Sequence, residues 1–272
     1  MDDKSCGMAM RRVRKRFEKA LKQYSLIADD DKILVGLSGG KDSLLLLDLL
    51  ANRSRVFKPR FTVGAIHVRM ENISYESDTT YLEQFCQSRG VALHVATTSF
   101  DPESDRRKQP CFLCSWYRRK QLFAYAQANG YNKIALGHHQ DDVVHTALMN
   151  LLYEGRFASM PPKLEMRKMP LTVIRPLILV EENDIVAIAE AEDYKKQNKQ
   201  CPYEKATRRS DIAALFRRME ELKSLDSEKL ASYASLYAKM VENGRLFTVG
   251  GKEAINKEAD LYDSVLDPLK LR

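Results

Sequence analysis

No stretch of this chain is long and apolar enough to cross a bilayer. The longest leucine-rich run, Leu44 to Leu50, is interrupted by Asp48, whereas a spanning helix needs about 20 apolar residues. An apolar signal core is missing as well: the basic N-terminus runs into Phe17-Glu18-Lys19, so export is not expected and the cytoplasmic compartment is. Cysteines are few and odd in number, five. Without an export signal, that count argues against a disulfide framework and for thiol chemistry or metal ligation in a reducing setting. Internal repeats and low-complexity linkers are lacking too, which removes solenoids and loosely strung modules.

What is present is a soluble globular composition, 44% hydrophobic and 30% charged over 272 residues. A chain of that length buries roughly three quarters of its unfolded surface and forms one large or two small domains. The net charge of +7 is clustered, which favours a polyanionic partner. The clusters are Arg11-Arg12-Val13-Arg14-Lys15-Arg16, Arg106-Arg107-Lys108, Arg118-Arg119-Lys120, Lys195-Lys196 with Lys199, and Arg208-Arg209. Any one of them alone reads as well as a solvated helix face.

Residues 8 to 27 have the spacing of a basic amphipathic helix, with Val13, Phe17, Ala20, Leu21 and Tyr24 on one side. Strands are expected at Ile33 to Leu37, Phe61 to Val68, Val91 to Thr97 and Lys133 to Gly137, alternating with helices at Leu44 to Leu50, Ser77 to Ser88, Cys111 onward and Val143 to Leu152. That alternation predicts an α/β fold, a parallel twisted sheet flanked by helices, with its ligand at the carboxyl ends of the strands. Pro161-Pro162 and Thr172 to Pro176 are expected to interrupt the pattern, before a helix at Glu181 to Glu190 and two more at 207 to 222 and 227 to 242. The expected organisation is an N-terminal basic helix (1–27), a nucleotide-binding domain (28–190), a helical extension (191–245) and a tail (246–272) without an assigned role.

Between the first strand and its helix stands Ser38-Gly39-Gly40-Lys41-Asp42-Ser43. Adjacent glycines let the backbone turn tightly, so that successive N–H groups and a helix N-terminus converge on one anion. This is not the common phosphate loop of NTPases, which needs glycine where Val35 stands and Ser or Thr where Asp42 stands. At every defined position it resembles instead the SGGxDS loop of the ATP pyrophosphatase (PP-loop) enzymes. The resemblance implies ATP binding and cleavage between the α and β phosphates.

Cys111-Phe112-Leu113-Cys114 opens an expected helix, so both sulfurs fall on its first turn. Three chemistries fit such a pair: a redox couple, a zinc site, or an iron–sulfur cluster held by three thiolates with Cys201 as the third, which leaves one iron open to an exogenous sulfur. Cys86 lies beside Leu82 and Phe85 and reads as core, while Cys6 sits in an N-terminus expected to be mobile. Gly137-His138-His139-Gln140-Asp141-Asp142 occupies another carboxyl-end turn, where an acidic group can hold Mg²⁺ on phosphates or merely cap a helix.

Taken together, Pro110 to Cys114 with Arg118-Arg119, Lys133 to His139 through Asp141-Asp142, Met160-Pro161-Pro162-Lys163 and Ile174-Arg175-Pro176-Leu177 resemble the bacterial tRNA 2-thiocytidine synthetase family from about residue 10 to 220. The resemblance implies ATP and Mg²⁺ on the PP-loop domain, a [4Fe-4S] cluster on Cys111, Cys114 and Cys201, and a thiolated cytidine in the tRNA anticodon loop. Ser38, Gly39, Gly40, Ser43, Gly137 and His138 are the implied nucleotide contacts. Lys41 offsets developing charge, and Asp42 and Asp142 position Mg²⁺. The implied partners are tRNA, a sulfur donor such as a cysteine desulfurase persulfide or sulfide, no membrane, and a second copy of the chain.

Two departures stand out. The third ligand lies in Cys201-Pro202-Tyr203-Glu204 rather than in a second Cys-x-x-Cys, and His67-Val68-Arg69-Met70-Glu71-Asn72 replaces an acidic stretch. The alternatives are another PP-loop tRNA-modifying enzyme, including a lysidine-type ligase, and a non-catalytic iron–sulfur RNA-binding sensor.

Overall fold

The computed structural model describes residues 3–71, 78–101, 110–155, 158–195 and 208–223. Cys201, the expected helix at 227–242 and the tail at 246–272 lie outside them. The described residues fall into two compact units, one containing every strand and the other containing two helices.

The first unit begins with α1 (Asp3–Gln23). Ala9, Val13, Phe17 and Ala20, spaced three and four apart, are all buried. The helix starts earlier than its apolar spacing implies and ends before Tyr24, where Ser25 turns to φ 48°. Cys6 lies within this helix and is half-buried.

β1 (Asp31–Gly36) pairs in parallel with β2 (Phe61–Met70), and β2 with β3 (Ala92–Thr98). On its other side β1 pairs in parallel with β4 (Lys133–Ala135). The crossovers are carried by α2 (Lys41–Ser54), α3 (Thr79–Ser88) and α4 (Pro110–Ala128). Leu44 to Leu47 and Leu50 of α2 are fully buried, which is why so leucine-dense a segment ends in a core and not a membrane. Among the described residues no helix is long and apolar enough to cross a membrane.

The segment around Thr172 to Pro176 corrects the expected interruption. Thr172–Ile174 is a strand, β6, parallel to β4, and Lys163–Glu165 is β5, antiparallel to β6. Each is three residues long, too short to show alternation, and Val173 and Ile174 are fully buried. The sheet order is β3-β2-β1-β4-β6-β5. The chain leaves β1 in one direction through β2 and β3, then returns to β1's other side, so β1 and β4 flank the switch point where open α/β sheets bind ligands. α6 (Glu182–Ala191) completes the described part of this unit and packs on α1 and α2.

The second unit contains α5 (Gln140–Glu154) and α7 (Arg208–Lys223). His145 of α5 meets the ring of Phe216 of α7 edge-on at 5.4 Å. The Ser159 hydroxyl donates to the Val143 carbonyl at 2.7 Å and the Asn150 amide to the Ala158 carbonyl at 2.7 Å, tying the following loop back to α5.

Candidate nucleotide and cysteine site

At the carboxyl end of β1 the chain builds its own anion cradle. Gly39 adopts φ +82°, which glycine enters without Cβ strain. Gly40 is extended and N-caps α2 with no side chain to offer, so the start of α2 has no side-chain cap, while Ser43 and Leu44 N–H donate to the Gly40 carbonyl. The turn is braced by a ring of hydrogen bonds. Gly40 N–H donates to Ser38 Oγ at 3.3 Å, Ser38 and Ser43 hydroxyls meet at 3.1 Å, and Ser43 Oγ donates to the Gly40 carbonyl at 2.9 Å. Since Ser43 gives its proton to the carbonyl, Ser38 is the donor between the hydroxyls.

The turn after β4 closes on this loop. A Cβ placed on Gly137 would stand 3.0 Å from the Asp42 carbonyl carbon and 3.1 Å from Ser43 N, so a side chain there would press the two backbones apart by a few tenths of an ångström. His138 follows half-buried, and the buried His139 brings Nε2 to 3.8 Å from Asp42 Oδ1. Gly137 therefore stands against the PP-loop. Asp141 and Asp142 open α5 in the second unit.

Lys41 points its ammonium at two carboxylates, Glu182 Oε1 at 2.8 Å and Asp42 Oδ1 at 3.1 Å. Burial works to lower its pKa, but the hydrogen bond to Glu182 and the charges of Asp42 and Glu182 outweigh it, and the net shift is upward. Lys41 is thus held fully charged at the loop.

Beside the loop lies a cavity of about 370 Å³ whose wall includes Ser38 and His67 from the strand ends and Cys111, Cys114, Arg118 and Arg119 from α4. That is within the usual range of small-ligand pockets. The cysteines, one turn apart, share this wall; Cys111 is exposed and Cys114 half-buried. They are held there by Leu113, which packs with Met70 of β2 and Phe100, with Cys114 and Tyr117 against the same cluster.

His67 is 2% exposed. Its Nδ1 lies 2.7 Å from the Leu37 carbonyl and so carries the proton, while the buried Nε2 has no hydrogen-bond partner. Burial first, then the charges of Arg118 and Arg69, push its pKa below the ordinary histidine value and outweigh the opposing hydrogen bond. The ring is neutral and ties β2 to the residue just before Ser38.

Of the remaining cysteines, Cys86 is buried and desolvation pushes its thiol up to about 11, as suits an inert core residue. Among the described residues no group of three His, Cys, Asp or Glu side chains forms a metal site, and Cys201 is not among them. Glu182 and the inward setting of His67 escaped sequence reasoning. Glu182 sits in an ordinary acidic helix start, and nothing local marks its pairing with Lys41.

Residues 10–213 match the model of the PP-loop domain family. A tRNA-cytidine(32) 2-sulfurtransferase of Bdellovibrio bacteriovorus is 40% identical over 181 residues, 65% of this chain and 69% of that protein. A protein of the same name from Xylella fastidiosa is 38% identical over 196 residues, 70% of this chain and 64% of its own length. The chain thus spans about two thirds of these relatives. Among solved structures, the U34-tRNA thiolase NcsA from Methanococcus maripaludis with its [4Fe-4S] cluster superimposes with a TM-score of 0.69 at 23% identity, over 87% of this chain and 80% of that one. This last likeness is one of fold.

Proposed function

Because the chain belongs to the PP-loop family, and within it to the tRNA 2-thiocytidine synthetases, we propose that it is an ATP-dependent tRNA sulfurtransferase that replaces a cytidine carbonyl oxygen by sulfur in the anticodon loop. One observation carries the reading: Ser38 of the PP-loop and the thiols Cys111 and Cys114 line one cavity. A phosphate cradle and a cysteine pair opening on one cavity suit a reaction in which ATP activates a carbon and sulfur then replaces the activated oxygen.

The pyrimidine O2 attacks the α-phosphorus of ATP and pyrophosphate leaves; sulfur then adds to C2 and AMP departs with the original oxygen. In the first step the backbone of Gly39 and Gly40 and the uncapped start of α2 bind phosphate oxygens. Ser38 and Ser43 brace the turn. Lys41 offsets the charge that develops as pyrophosphate leaves. Asp42 would hold Mg²⁺, and Gly137 lets the turn after β4 stand close against the Asp42 and Ser43 backbone.

The thiols fit an iron–sulfur cluster in donor chemistry, in their one-turn spacing and in opening onto a cavity. Cys111, Cys114 and Cys201 would hold a [4Fe-4S] cluster, which when bound supplies an iron lacking a protein ligand as the carrier of sulfur. The sulfur comes at the sulfide level, from sulfide itself or from a desulfurase persulfide whose S–S bond is cleaved by a thiol that is oxidised to a disulfide. Arg118 and Arg119, on the same wall, face the cavity with the cationic charge that an RNA backbone requires.

The test is anaerobic purification with iron and sulfide quantification, beside nucleoside analysis of tRNA incubated with ATP and a sulfur donor. About four irons per chain, reduced in Cys201→Ser, with 2-thiocytidine formed only by wild type, is the expected result. Zinc, or an active protein without metal, would overturn it.

A further inference from the structure

Lys41 is the one cationic side chain of the PP-loop segment, and its direction is set from outside the loop. Its ammonium has three N–H donors. One donates to Glu182 Oε1 at 2.8 Å, 141 residues away, and Asp42 Oδ1 stands at ion-pair distance, 3.1 Å. Donor capacity remains for a phosphate oxygen entering the cradle.

Glu182 is itself held. It stands in the first turn of α6 beside Asp184 and directly after Glu181, and two arginines of α1 grip that turn. Arg12 donates to the buried Asp184 through Nε at 3.0 Å and Nη2 at 2.6 Å; Arg16 reaches Asp184 at 3.2 Å and also pairs with Glu181. The Lys41–Glu182 pair is partly exposed on both sides and contributes little to stability, so it matters for where it points the ammonium. The arginine grip also sorts the basic residues of α1: Arg12 and Arg16 hold α6, while Arg11, Arg14 and Lys15 are exposed.

We propose that Glu182 is a positioning residue for the adenylation step: braced by Arg12 and Arg16, it fixes the Lys41 ammonium beside the PP-loop so that its remaining donor meets the phosphate on which charge develops. This rests on the ATP-cleaving reading of the site. A group held in productive geometry accelerates the step that creates the charge more than it tightens the ground state. Loss of Glu182 therefore lowers kcat while the ATP KM stays nearly constant.

The test compares wild type, Glu182→Gln, Lys41→Met and the double variant in tRNA-dependent pyrophosphate release, with the melting temperature of each. Glu182→Gln is expected to reduce kcat about tenfold with the KM for ATP within about threefold. In the Lys41→Met background the same change is expected to cost less than about twofold, because it acts through that lysine. A wild-type kcat with only a lower melting temperature overturns the inference, and so does a tenfold loss that persists without Lys41. If Glu182→Gln fails to fold, Glu182→Asp takes its place, since withdrawing the carboxylate by one methylene breaks the 2.8 Å contact; an undiminished kcat there overturns it equally. Should wild type cleave ATP without any need of RNA, the tRNA reading falls while the same four proteins still decide the role of Glu182. No ATP cleavage under any condition overturns both.

Discussion

The two walls of the cavity are built in opposite ways. The PP-loop is held by contacts among residues 38 to 43, the Gly39 turn and the hydroxyl ring of Ser38, Ser43 and Gly40. The cysteine pair is located from farther away: Leu113, between the two thiols, packs against Met70 and Phe100, residues from other elements. A locally braced turn is ready for its anion whenever the strand and helix around it form. A pair of thiols placed by tertiary packing has its spacing fixed by the helix and its location fixed only by the whole unit. In the proposed reaction the first wall would handle ATP and the second would determine whether sulfur is delivered.

The sharpest way to separate the walls is to remove one thiol. Cys111→Ser is expected to abolish 2-thiocytidine formation while leaving the affinity for ATP within about twofold, since changes without shared partners act independently. Nucleoside analysis and calorimetric ATP titration check this, and a parallel loss of ATP binding would mean the two walls are one structure. Next in size is Leu113→Ala. Leu113 is 6% exposed, and truncating a buried leucine typically costs about 3 kcal/mol. Denaturant unfolding should show that loss together with reduced iron content, and ATP affinity of the folded protein should hold. The reciprocal experiment is Gly137→Ala, whose methyl meets the Asp42 and Ser43 backbone at 3.0 to 3.1 Å. Such crowding costs about 1–3 kcal/mol and is expected to weaken ATP binding while iron content is unchanged.

The same contrast explains what could be read from the chain before its structure. The PP-loop was legible because six consecutive residues carry its geometry, and the turn at Gly137 because a strand precedes it and a helix follows. The parallel sheet was legible from the alternation of elements. β5 and β6 were not, since three residues cannot show a period, and burial of Val173 and Ile174 arises only once β4 lies alongside. The Lys41–Glu182 pair spans 141 positions and has no local signature. His67 could be noticed only as a departure from an acidic pattern; its neutral state comes from burial, and its setting from the Leu37 carbonyl just after β1. The cysteine spacing was plain, whereas the cavity that gives it a partner in the PP-loop is wholly tertiary.

His67 stands where the two walls meet, and it supplies the smallest and most specific test. Its pKa in the folded chain lies below the ordinary 6.5, chiefly through burial and then through the cationic Arg118 and Arg69. Between the folded value and 6.5, the unfolded chain binds a proton that the folded chain refuses, so stability rises with pH across that window, is complete above it, and is lost as pH falls through it. The slope from one such group reaches at most about 1.4 kcal/mol per pH unit. His67→Asn removes the titration while leaving an amide able to donate toward Leu37. Thermal unfolding from pH 7.5 downward should show wild type losing stability below about pH 6.5 more steeply than the variant, with the two curves parallel above it. If the curves stay parallel throughout, the ring is not the neutral strut described. A steeper loss in wild type accompanied by weaker ATP binding at the same pH would show that the seam carries strain from the cysteine wall into the loop, since protonating His67 places a cation beside Arg118 on one wall and against the carbonyl preceding Ser38 on the other.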